Sequence, residues 1–199
     1  MSQSAEHILT RLVPNTGGKC QCVDGFPERL GSAARGNNAR IVTLILPDMK
    51  FTCNGRIVEF TVAGVRQGGA QDPKIQVWRE NTTQPGAYYK PNPDIPVNTS
   101  VCDGGLQQLS TNDRLFHCKL GSRAPQVSVQ AGDILGIELP PTKEDEFVLW
   151  FTRPIDKGSR AITYLFEGQL PSTVELSNTG TYINKVQEQP QITITLSGL

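Results

Sequence analysis

Glu138 and Glu146 are the carboxylates in this sequence best spaced to act as a pair, one on an apolar run and one closing the charged stretch TKEDE at 142–146. A retaining glycosidase holds its two carboxyl groups about 5 Å apart across a cleft. Two residues flanking a single connection between strands can meet that distance, so a carbohydrate-active enzyme is one reading. The plainer reading is a solvated charged loop, with Glu138 pointing away from the core face of Ile137 and Leu139. His7 and His117 are the only histidines, and no G-x-S-x-G nucleophile motif accompanies them. Asp133, Glu144 and Asp145 bring three carboxylates into one region but lack EF-hand spacing. The expectation is a chain without catalytic residues, bound metal or cofactor.

The five cysteines carry a different chemistry. Cys118 alternates with Phe116 and Leu120 and so faces inward, while Cys102 lies in the loop VCDGG, with fifteen residues between them. A disulfide closing such a loop stabilises by about 3 kcal/mol in the chain-entropy model. Cys53, beside Phe51, also faces inward and has Cys20 or Cys22 as its candidate partner. Zinc is the competitor, but there is no C-x-x-C pair and histidine is scarce. Disulfides imply an oxidising compartment, and an odd count leaves one cysteine over. The stretch CQCVDGF at 20–26 resembles the end of an epidermal-growth-factor-like module, but the closing cysteine is missing and a chance match is the simpler reading. Asn81-Thr82-Thr83 and Asn98-Thr99-Ser100 are N-glycosylation acceptors in a turn-rich stretch.

Aromatic side chains offer candidate contact surfaces. Trp78 and Trp150 both fall opposite the main apolar alternation of their strands. A sugar-stacking platform and a strand buried on both faces explain that placement equally, with the buried strand preferred. Tyr88 and Tyr89 are adjacent in the Pro-rich segment GAYYKPNPDIP and serve either recognition or coverage of a sheet edge.

These residues need elements to position them. RIVTLIL (40–46), stopped by Pro47, is the first strand, and KFTC (50–53) ends at the hairpin signal Asn54-Gly55. RIVEFTVAGV (56–65) places Val58, Phe60 and Val62 on one face. KIQVWR (74–79), RLFHCKL (114–120), EFVLWFTR (146–153), AITYLFE (161–167) and QITITLS (191–197) read as further strands. In QVSVQAGDILGIELPP (126–141), Val127 and Val129 share one face, as do Leu135, Ile137 and Leu139. Gly132 and Asp133 read as the hairpin corner between them, glycine supplying positive φ. Apart from a short stretch near AEHILTRL (5–12), helical periodicity is absent. Many short strands with frequent turns predict an all-β fold, a single antiparallel β-sandwich of jelly-roll type. Residues 39–199 form the sandwich, and 1–38 are an irregular, cysteine-containing N-terminal appendage or linker.

Lysine plus arginine and aspartate plus glutamate number 19 each, so the chain lacks the basic footprint of a nucleic-acid binder. No run approaches the roughly 18 apolar residues of a membrane helix, and direct membrane insertion is not expected. The first residues also lack a secretory signal pattern, which by itself implies the cytosol. The cysteines and sequons argue otherwise, and both are accommodated if the 199 residues are part of a longer surface chain.

Several segments together resemble a module repeated in the extracellular parts of sponge cell-surface proteins of receptor-like or adhesion-like type. They are LPDMKFTCNGRIVEFTVAG, KIQVWRENTT, VSVQAGDILGIELPP, AITYLFEGQLPSTVELSN and the terminal QPQITITL, spread over roughly residues 41–197. Cys53, Cys102 and Cys118 sit where such modules carry cysteines. The resemblance implies an ectodomain, extracellular or at the cell surface, that binds a protein or glycan ligand. A lectin-like domain using Trp78, Trp150, Tyr88 or Tyr89 is the alternative within binding, and the carboxylate enzyme is the alternative outside it.

Overall fold

The structure is a computed structural model that describes residues 21–24, 33–34, 40–65, 72–110, 115–141, 148–152, 163–176, 184–186, 189–190 and 192–198. In chain order the strands begin with β1 (Gln21–Asp24), β2 (Ala33–Ala34), β3 (Val42–Lys50), β4 (Gly55–Val65) and β5 (Lys74–Glu80). Next come β6 (Ala87–Tyr89), β7 (Ile95–Pro96), β8 (Gln107–Ser110), β9 (Leu115–Lys119), β10 (Ser128–Val129) and β11 (Ile134–Leu139). The last are β12 (Val148–Thr152), β13 (Thr163–Glu167), β14 (Thr173–Glu175), β15 (Asn184–Val186), β16 (Gln189–Pro190) and β17 (Ile192–Ser197). No helix occurs among the described residues.

The strands form two antiparallel sheets, and the fold is an all-β sandwich. One sheet runs β14-β6-β5-β11-β3-β13-β15, with β7 also paired to β5. The other runs β1-β17-β4-β12-β16, with β9 and β10 also on β4, β8 on β9 and β2 on β12. Thus two short pieces of the 1–38 stretch, β1 and β2, pair with β17 and β12. The stretch 5–12 lies outside the described residues.

Alternation explains the main core. Val42, Leu44 and Leu46 of β3, Ile75 and Val77 of β5, and Leu135, Ile137 and Leu139 of β11 point from one sheet. Phe60 and Val62 of β4, Phe116 and Cys118 of β9, and Ile192, Ile194 and Leu196 of β17 meet them from the other. Burying apolar area in this way is worth roughly 25 cal/mol per Å². The eight-stranded sheet is covered on its outer face too. Ile45, Trp78, Ile134, Tyr164, Phe166 and Val174 make a second, smaller core there, with Tyr88, Leu170 and Leu176 packed against it.

Four local expectations change. In β4 the face is Ile57, Phe60 and Val62, because Val58 is an extra residue. Thr195 opposes Glu59 while Leu196 opposes Ile57, so β4 bulges and Val58 leaves the core face. Pro47 does not end its strand, since β3 continues to Lys50. Leu46 pairs with Leu135 but Lys50 pairs with the neighbouring Ile134, so 47–49 bulge out of the ladder and Pro47 forfeits no ladder bond there.

Asn54-Gly55 is not a hairpin turn. β3 and β4 belong to different sheets, and residues 51–54 carry the chain across. A Cβ on Gly55 would stand 2.6 Å from the Ser197 carbonyl oxygen, so glycine is there for a close backbone approach. The Gly132-Asp133 corner is likewise a turn but not a hairpin, because β10 pairs with β4 and β11 with β3 and β5. Asp133 N–H donates to the Gln130 carbonyl at 3.0 Å, and Gly132 has φ of 97°. That is the positive φ a type II turn requires at its third residue.

Candidate functional site

Period-two alternation puts Lys74, Gln76 and Trp78 of β5 on the outer face of the eight-stranded sheet. On β11, Glu138 lies opposite Lys74, Gly136 opposite Gln76, and Ile134 opposite Trp78. The connection between β6 and β7 adds Lys90 and Asp94 above them. Of these residues Lys74, Gln76, Lys90, Asp94 and Glu138, with Ile41, Gln169 and Leu170, line a pocket of about 220 Å³.

Gln76 organises it. Its Oε1 accepts from Trp78 Nε1 at 3.1 Å. Its Nε2 donates to Asp94 Oδ2 at 3.0 Å and to Glu138 Oε2 at 3.1 Å. Gln76 is 2% exposed, and every hydrogen of its amide is used. Each carboxylate then has its own ammonium: Lys74 Nζ lies 2.7 Å from Glu138 Oε1, and Lys90 Nζ lies 3.0 Å from Asp94 Oδ1. The lysine ends are half-exposed at the mouth, while the carboxylates sit deeper. This arrangement presents paired donors and acceptors to a ligand, with Ile41 and Leu170 as apolar wall.

Among the described aromatic candidates, Trp78 and Tyr88 share the second core, and Tyr89 lies on the other side of its strand. Trp78 is fully buried, so its ring cannot serve as an open stacking platform. It lies across Gly136, where a Cβ would stand 2.5 Å from Trp78 Nε1, and Lys90 Nζ is 5.8 Å from the ring centroid. Tyr88 packs against the second core, and burial is the main reason its phenol pKa is raised, with Glu80 adding to it. Tyr89, next in β6, points to the other side of the strand and pairs in register with Arg79. The side chain of Trp150 lies outside the described residues.

Glu138 does not stand in open solvent: Lys74 and Gln76 engage both of its oxygens. Glu146 lies outside the described residues, as do Glu144, Asp145 and His7. Asp133, the remaining member of the calcium trio, is 2% exposed and gripped by Arg79, with Nε to Oδ1 and Nη2 to Oδ2 both at 2.8 Å. The Asp133 hydrogen bond raises the Arg79 pKa against the opposing effect of burial. His117 Nδ1 lies 3.1 Å from Thr61 Oγ1 on the face away from the core. Among the described residues no three His, Cys, Asp or Glu side chains cluster as metal ligands.

Cys102 and Cys118 are joined by a disulfide. Cys53 is also disulfide-bonded and packs against the main core. Cys20 and the side chain of Cys22 lie outside the described residues. Asn81 and Asn98 stand in ordered turns just beyond β5 and β7.

Sequence reasoning singled out Glu138 but missed Lys74, Gln76, Lys90 and Asp94 as its neighbours. The Lys-Gln-Trp alternation of β5 was the readable signal, because it puts two polar residues and a tryptophan on one face. Lys90 and Asp94 come from a loop whose path only the tertiary fold sets. No protein-family model matches the chain, and no curated protein matches it. The class is therefore defined by the fold: a disulfide-bonded, all-β sandwich.

Proposed function

We propose that the chain is an extracellular binding or adhesion module of a cell-surface, receptor-like protein, and that it does no catalysis. The observation that carries this reading is the Cys102–Cys118 bond, with Cys118 fully buried in the main core. Disulfides built into a core belong to chains that mature in an oxidising compartment. The resemblance to sponge ectodomain modules points to the same compartment. The module should bind dissociated cells of its source organism saturably when labelled and oxidised, and lose that binding when reduced and unfolded. Absence of cell attachment, together with turnover of any glycoside, would reverse the assignment.

A lectin-like role is the second reading, and the pocket favours it. Its two ammonium–carboxylate pairs offer both hydrogen-bond directions to hydroxyl groups, and at about 220 Å³ it is smaller than the pockets of roughly 300–1,000 Å³ that hold drug-sized ligands. A glycan array with and without calcium tests it. Signal from the wild type that disappears in both Asp94→Asn and Glu138→Gln supports a sugar site, and an array blank for the wild type removes it.

A further inference from the structure

Two asparagines outside the pocket share one local geometry. Asn81 Oδ1 accepts from the Thr83 N–H at 3.0 Å and from Thr83 Oγ1 at 2.8 Å. Asn98 Oδ1 accepts from the Ser100 N–H at 3.0 Å and from Ser100 Oγ at 2.6 Å. A backbone N–H only donates, so in each case the atom it meets must be the amide oxygen. The other end of each amide, Nδ2, is thereby identified, and it has no hydrogen-bond partner among the described residues. Thr82, Thr83, Thr99 and Ser100 are exposed. The turns are held in place. Asn81 N–H donates to the Ala87 carbonyl at 2.7 Å and Gln84 N–H to the Asn81 carbonyl at 3.0 Å, while Val97 N–H, just before Asn98, donates to the Pro73 carbonyl at 2.8 Å.

The same bonds locate the two turns relative to each other. Asn81 follows the last residue of β5, and Asn98 lies beside the residue that precedes the first. The seven residues of β5 separate Pro73 from Asn81, and eight rises of about 3.3 Å make about 26 Å. The acceptors therefore sit at opposite ends of one strand, and substituents on them do not compete for space.

We infer that Asn81 and Asn98 are both N-glycosylated in the same molecule. The inference rests on the extracellular reading above. The donor is an oligosaccharide carried on a lipid pyrophosphate, supplied by the secretory compartment. Nδ2 attacks C1 of its first N-acetylhexosamine. The N–C1 bond forms, the C1–O bond to pyrophosphate breaks with its electron pair leaving on the pyrophosphate, and the amide gives up one proton. The two glycans stand at either end of segment 81–98, which carries Lys90 and Asp94 of the pocket between them.

The test is peptide mass mapping of the chain directed by an added leader into the secretory pathway of a eukaryotic host. Two glycopeptides are expected, with Asn81 and Asn98 each converted to aspartate by a glycan-releasing amidase. Thr83→Ala should remove the first glycan and Ser100→Ala the second, while Thr83→Ser and Ser100→Thr retain them. A secreted wild type carrying one glycan or none overturns the inference. That result would leave the binding reading standing if the same preparation holds the Cys102–Cys118 bond, whereas both cysteines free in secreted protein would sink the extracellular reading instead.

Discussion

At the scale of single residues, Asp133 has the most demanding environment. It is nearly sealed from solvent, and its two oxygens accept from Arg79 Nε and Nη2 and from the Gln130 N–H, each at 2.8 Å. Burying a carboxylate is tolerated only with this degree of satisfaction. Arg79 keeps one face towards solvent and closes the site from outside. Removing it would strand a buried charge, which costs about 3–5 kcal/mol in comparable pairs. Arg79→Met should therefore lower the urea midpoint by that equivalent. Arg79→Met combined with Asp133→Asn should recover part of the loss, since the charge goes with its partner. A single variant as stable as the wild type would show that the pair contributes nothing. Turn chemistry alone made Asp133 legible as a corner residue; its ion pair was not, because Arg79 lies 54 positions away.

At the scale of elements, β11 contains two lessons about glycine. Gly132, at its approach, has φ of 97° and open space around a would-be Cβ, so its requirement is conformational. Gly136, inside the strand, carries no such φ, and its requirement is contact, because Trp78 occupies the volume a methyl would take. Gly132→Val should cost about 1–3 kcal/mol through backbone strain. Gly136→Ala should cost a similar amount, about 1–3 kcal/mol by overpacking. The two differ in readout: only Gly136→Ala should displace Trp78 and change tryptophan emission in the folded state. Equal spectra in both variants would mean that Trp78 does not rest on Gly136. The alternation of β5, β11 and β17 was readable from the sequence, because each buries one face in the main core. Pro47 and Asn54-Gly55 misled because turn chemistry reports local backbone preference and is silent on which sheet the next strand joins. β6, β7 and β14 are two or three residues long and have no periodicity to read.

At the scale of the molecule, the chain leaves the eight-stranded sheet after β7 and enters the other at β8 and β9. The disulfide sits at that crossing. Cys102 bridges to Leu120, Asp103 N–H donates to the Lys119 carbonyl at 2.7 Å, and Cys118 fixes the loop to the core side of β9. The bond thus ties the connection between the sheets to a strand buried between them. Its legibility was high, since one cysteine alternated with core residues and its partner lay close in sequence. The pocket was much less legible: it is assembled from β5, β11 and three connecting segments, and its charges cancel in pairs. With a sequence separation of 16, the bond should stabilise by about 3 kcal/mol, chiefly by restricting the unfolded chain. Replacing both cysteines with alanine should lower the melting temperature by about 2–4 °C for each kcal/mol lost, at this chain length. Refolding the variant should still give two packed sheets, because the main core is built from residues of both and does not pass through the sulfurs alone. A variant that melts with the wild type would show that the loop is already restricted by β8 pairing with β9, and that the disulfide adds little to stability.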